Sequence, residues 1–156
     1  MATDEVENLV RQLREIHDGE PWHGPSLHTI LAGIDAEAAD AKPLNGAHSI
    51  WELILHITGW TTVCRLRLEG QETKQSDEGD FPLPPSATPD AWRDAISRLD
   101  DEHARLIKTI DRLADSDLTQ VVPGKTYTRA FMIQGAVHHH VYHSGQIALL
   151  KKAIAY

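Results

Sequence analysis

Cysteine is nearly absent: the chain carries only Cys64, which rules out an internal disulfide and fits a reducing compartment. Cys64 falls in an apolar helical stretch, where a buried packing thiol is the expected role and a reactive one is not. Basic residues are also scarce, 15 against 23 acidic ones for a formal net charge of -8, and no local cluster of Lys and Arg offsets that balance. A surface that tracks phosphates needs the opposite sign, so no nucleic acid partner is expected. Long hydrophobic runs are missing too. Nothing approaches the roughly 18 to 20 apolar residues needed to span a bilayer, and the acidic start Met1-Ala2-Thr3-Asp4-Glu5 has none of the features of a signal peptide. These absences predict a soluble, cytoplasmic protein with no membrane partner. At 156 residues the chain has the size of one domain, 1–156, built around a single core, with no internal repeat and no low-complexity tract.

β alternation is absent as well, whereas four long segments carry helical periodicity, so the expected fold is all-α. The first starts with Thr3 as N-cap and places Val6, Leu9, Val10, Leu13 and Ile16 on one stripe, ending near Asp18-Gly19. Pro21-Trp22-His23-Gly24-Pro25 cannot be regular helix, and short connector helices follow at about Ser26–Ala32 and Asp35–Ala41. The second long segment runs from Ser49, with Glu52 at the capping-box position, to Leu68. It is apolar around much of its circumference, as an inner helix would be. Gly70 to Ala87 is polar and then proline-rich, which reads as a long crossover loop. The third segment opens at Thr88-Pro89-Asp90 and extends to about Leu113. Asp115 to Thr128 contains a turn signal at Val121-Val122-Pro123-Gly124, with room for a short extended piece, and the fourth segment runs from about Arg129 to Ile154. Four long helices suffice to close a four-helix bundle, with the crossover loop between helices two and three.

Ten histidines are present. His139 and His143 are four residues apart, so on a helix their imidazoles lie one turn apart on one face, a spacing that suits a divalent metal. A third ligand has to come from elsewhere. His17, at the end of the first segment, reads as a solvated cation favourable to the helix dipole, and His28 and His103 as structural or solvent-facing. His56 differs, because it lies midway along the most apolar helix, where a buried imidazole is costly unless its nitrogens are satisfied. On periodicity alone a satisfied core histidine is the ordinary reading; the His-x-x-x-His pair on another buried helix turns the balance toward a ligand. His138 and His140 point to either side of His139 and read as bystanders at the surface or behind the site. His23 and His48 lie near helix starts, while Trp22 and Trp60 are expected to wall a pocket or fill the core. The paired Glu-x-x-His motifs of a ferritin-like di-iron site are missing.

The run Ser49-Ile50-Trp51-Glu52-Leu53-Ile54-Leu55-His56-Ile57-Thr58-Gly59-Trp60, together with His139-His140-Val141-Tyr142-His143-Ser144-Gly145-Gln146-Ile147, resembles the DinB/YfiT-like superfamily over nearly the whole chain. The resemblance implies a DinB-like four-helix bundle with a divalent metal, zinc or nickel, held by His56, His139 and His143. Many members have Arg where this chain has Ser144, which bears on substrate charge and dimer contacts; Gly145 and Gln146 match, and Gln146 is placed to support the site from behind. Three protein ligands leave a coordination position for water or substrate. The expected function is therefore a metal-dependent enzyme, either a thiol-dependent S-transferase acting on small electrophiles with a low-molecular-weight thiol, or a metal-dependent hydrolase. Glu52 and Tyr142 are the candidate catalytic residues for proton transfer. A homodimer is implied by the resemblance, and the rival reading is a non-catalytic metal- or small-ligand-binding stress protein.

Overall fold

The computed structural model describes residues 4–74 and 79–155, and among them the regular structure is helical. Four long helices, α1 (Glu5–Asp18), α4 (Ile50–Leu68), α5 (Pro89–Ile110) and α6 (Arg129–Ile154), are joined by two short ones, α2 (Leu27–Leu31) and α3 (Ala36–Asp40). No described helix is long and apolar enough to cross a membrane.

The helix starts follow from their capping chemistry. Ser49 accepts from the Glu52 N–H at 3.1 Å while the Glu52 carboxylate accepts from the Ser49 N–H at 2.8 Å, the reciprocal capping box expected of this segment. Thr88 caps α5 ahead of Pro89, and Thr128 caps α6 through the Phe131 N–H. Thr3, the expected cap of the first helix, lies outside the described residues; Asp4 caps α1, accepting from the Val6 and Glu7 N–H groups. Between α5 and α6, a 3-10 turn (Asp115–Thr119) leads to an isolated antiparallel bridge pairing Val121 with Thr128. Gly124, at φ +70°, makes the reversal between them, in a region that disfavours a side chain.

α4 packs against both α5 and α6, and α1 also lies against α5 and α6. The core forms two adjoining clusters. One is centred on Trp51, fully buried with Leu53, Ile54 and Ile57, and covered by α2 and α3; the other gathers Leu9 and Leu13 of α1 with Leu106, Ile110 and Ile133. This explains why α4 is apolar almost all round: it is flanked on several sides at once. Trp22 corrects its expected role, since it is wholly exposed and neither walls a pocket nor fills the core.

Candidate metal centre

His56 on α4 and His139 and His143 on α6 converge. The Nε2 of His139 lies 2.9 Å from that of His56 and 3.1 Å from that of His143. The helical spacing brings the α6 pair to one side, and the packing of α4 on α6 presents His56 to it.

The outer nitrogens settle which atoms face inward. The Nδ1 of His56 lies 2.6 Å from the Asp80 backbone carbonyl oxygen, which only accepts, so this nitrogen donates its N–H; the Asp80 carboxylate is a further 3.1 Å neighbour. Likewise the Nδ1 of His143 donates to the Gln146 side-chain oxygen at 2.6 Å. With Nδ1 protonated, the neutral rings of His56 and His143 each turn a bare Nε2 lone pair inward. His139 can share a proton with only one of them at a time. Nitrogens bound to one tetrahedral cation at about 2.0–2.1 Å stand about 3.3 Å apart, only a few tenths of an ångström wider than found here. A divalent cation satisfies all three lone pairs at once, so the donor set fits one. Burial, followed by the facing His143 and His56 rings, pushes the His139 pKa down to about 4, and burial also lowers that of His143; both favour the neutral form that ligates.

The Phe81 ring lies flat on His56 at 4.0 Å between centroids, and on its other side flat on His48 at 3.7 Å. Asp80 and Phe81 therefore orient a ligand from the segment that sequence reasoning treats only as a crossover. The hint available in the sequence was an aromatic beside a carboxylate within an otherwise polar and proline-rich stretch. Gln146 fulfils its expected supporting place. Gln146→Ala is expected to weaken divalent metal affinity by about 10–100-fold, measured by competition with a chromogenic chelator, while leaving the far-ultraviolet circular dichroism unchanged.

The two proton-transfer candidates are placed differently. Glu52 is buried, but its oxygens are taken by Lys42 at 2.7 Å, His48 at 3.3 Å and the Ser49 N–H. Burial pushes its carboxyl up, yet the bonds from Lys42 and Ser49 outweigh this and hold it below the usual carboxylate range. Tyr142 is mostly exposed, its ring edge-on to His143 at 5.0 Å.

A second histidine group lies beside the first, reached from α6 through His140. His17, His103 and His140 are all buried, which corrects the expectation of a solvated His17 and places the bystander His140 in the interior and not at the surface. The Nε2 of His17 donates to Asp100 at 2.9 Å, and that of His103 to the Leu13 carbonyl at 3.0 Å. Ring nitrogens of the three come within 4.8 Å of one another, but His17 and His103 stack at 3.9 Å with planes only 7° apart. Their in-plane lone pairs lie in separate parallel planes and cannot meet at one point, so this group packs as neutral core. Burial lowers the pKa of all three. Cys64 is likewise inert, its thiol pushed up to about 12 by burial.

A cavity of about 270 Å³ lies between α4 and α6, lined mainly by apolar side chains including Ile57, Met132 and Ala136, with His139 at one end and Arg67 also on its wall. The histidine centre thus borders a space of the size that small ligands occupy.

Comparison with known proteins agrees with this arrangement. The family model of the DinB superfamily matches residues 22–147, a span that includes all three converging histidines. No curated protein and no solved structure matches the chain. With four-fifths of its length matched and an all-helical fold around buried histidines able to hold a metal ion, the chain belongs to the DinB superfamily.

Proposed function

We propose that the protein is a metal-dependent enzyme in which His56, His139 and His143 hold zinc or nickel, and that its chemistry is transfer of a low-molecular-weight thiol to a small electrophile. The observation that carries this reading is the meeting of three inward nitrogens with an apolar cavity at His139. His56, His139 and His143 would hold the ion, which when bound would supply Lewis acidity that favours the thiolate form of a thiol substrate. The chain's own part is positional. Asp80, Phe81 and Gln146 fix the ring orientations of His56 and His143, and the apolar wall of the cavity excludes water from an electrophile lying beside His139. Of the two proton-transfer candidates, Tyr142 stays next to the site and Glu52 is saturated by its own partners, so Tyr142→Phe is the variant to compare for rate.

The same reading takes residues 1–156 as one domain, a four-helix bundle of α1, α4, α5 and α6 with the α4–α5 connection as its crossover, working in the cytoplasm. Phe131, Tyr142 and Leu149 are exposed, and their spacings of eleven and seven residues align them along one face of α6, which favours a homodimer through that face. Sedimentation at micromolar concentration is expected to show twice the chain mass.

Metal-loaded protein incubated with bacillithiol, mycothiol or glutathione and an activated aryl halide is expected to form the thioether faster than protein-free controls, and His56→Ala to lose that rate. Hydrolysis of esters or amides in place of thioether formation would move the assignment to a hydrolase. Turnover of neither class would leave a binding module.

A further inference from the structure

Arg67 is a buried cation with no anion beside it among the described residues. Its side chain is only 7 % exposed, yet its partners are neutral: the Thr73 carbonyl accepts from Nε at 3.2 Å and from Nη2 at 2.9 Å, and the Tyr127 hydroxyl accepts from Nη1 at 3.0 Å. One N–H on each terminal nitrogen has no acceptor among the described residues. The contrast with Arg65, two residues earlier, is direct: that guanidinium pairs with both Glu69 and Glu102. In a chain with 23 acidic residues, Arg67 has no carboxylate within ion-pair distance among the described residues. A guanidinium removed from water is costly unless an anion completes it.

The surroundings show where that anion would come from. Arg67 lines the apolar cavity that ends at His139, and its guanidinium carbon sits 5.9 Å from the centre of the Trp60 ring, another wall residue. Helical side chains lean toward the helix N-terminus, so the Arg67 head reaches back along α4 toward Trp60 and the His56 level. Trp60 is four residues, about 6 Å of helix, beyond His56, which puts the guanidinium on the order of 10 Å from the histidine centre. Cys64 and Thr61 sit on the same stretch of α4 and offer no charge.

We propose that Arg67 is the anchor for a carboxylate at one end of an elongated apolar ligand, whose other end lies at His139. The inference deepens the function proposed above by naming its substrate class, and it rests on that reading only for the role of the far end. The fork of a guanidinium suits a carboxylate better than a hydroxyl or an amine, and a low-dielectric wall strengthens the pairing. The apolar span between the two ends calls for a chain of roughly eight carbons.

Calorimetric titration with octanoate, octan-1-ol and octylamine tests this in the purified full chain. Octanoate is expected to bind wild-type protein at least tenfold more tightly than the other two. Arg67→Gln should lose that preference while keeping its affinity for octan-1-ol, a pattern that mere loosening of the cavity does not give; Arg67→Lys should keep part of it. Octanoate binding that is indifferent to Arg67→Gln, including binding by the carboxylate at the histidine centre, overturns the proposal. If Arg67→Gln does not fold, the wild-type ligand series and Arg67→Lys decide. A parallel zinc titration separates the two readings. Metal binding without an octanoate preference removes the anchor alone, and an Arg67-dependent preference in protein that takes up no metal removes the metal-enzyme reading alone.

Discussion

At pH 5, in the presence of a chelator, the protein is expected to be less stable than at pH 6.5 by about 3 kcal/mol, a large share of the roughly 5–15 kcal/mol that keeps a domain folded. The cause is the neutral histidine core. Burial and then the facing His17 ring drive the pKa of His103 down to about 3, and burial followed by the His103 and His17 rings holds His140 well below the ordinary value of 6.5. Between pH 6.5 and 5 both rings stay neutral in the native state, while in the unfolded chain each goes from half to almost full protonation. The unfolded state then binds more protons than the native one, so the free energy of unfolding rises with pH and falls on acidification. An unfolded histidine is already half protonated at pH 6.5, so each ring contributes about 1.6 kcal/mol over that window, and two rings give the figure above. His17, His139 and His143 are shifted in the same direction and add to the loss. Urea unfolding at the two pH values measures it, and His103→Asn should reduce the pH slope by about one proton. Equal midpoints at pH 6.5 and 5 would remove the argument.

Zinc at about a thousand times its dissociation constant is expected to stabilise the native protein by about 4 kcal/mol, or roughly 8–16 °C in midpoint for a chain of this length, and His139→Ala to abolish that shift. The variant has a second signature. Without metal, the His139 ring presses its Nε2 against two inward nitrogens at 2.9 and 3.1 Å, so deleting it relieves a crowded contact as well as removing packing. Metal-free His139→Ala is therefore expected to lie within about 1 kcal/mol of metal-free wild type. Thermal unfolding with and without zinc, for both proteins, reads out both effects. A variant that is strongly destabilised without metal, yet still stabilised by zinc, would mean that His139 serves the fold and not the ion.

Much of this arrangement is readable in the chain. The Ser49 and Glu52 capping box and the Thr88-Pro89 start each mark a helix start that the structure bears out, because capping is a local interaction that short spacings encode. The His139 and His143 pair is local in the same sense. His56 is not: its meeting with α6 depends on how two helices pack, and spacing along one helix cannot supply it. Asp80 left only a faint hint for a different reason, since it receives the His56 N–H through a backbone carbonyl that any residue would offer. The buried His17 did leave a trace, four residues after Leu13 on the same apolar stripe, and His103 falls between Leu99 and Leu106 in the same way. Their position on a helix face outweighs the expectation that a histidine at a helix end stays in solvent. Arg67 had no signature at all, because a cation with no anion among the described residues is recognised only from its folded neighbours.

The central claim is that three imidazoles from α4 and α6 hold one divalent ion. Elemental analysis of wild-type, His56→Ala and His143→Ala proteins, each dialysed against the same excess of zinc or nickel and then against metal-free buffer, tests it most directly. About one ion per wild-type chain is expected and less than about a tenth of that in either variant, because losing one of three ligands leaves an incomplete set. Full occupancy in both variants would contradict it and place the ion elsewhere in the molecule.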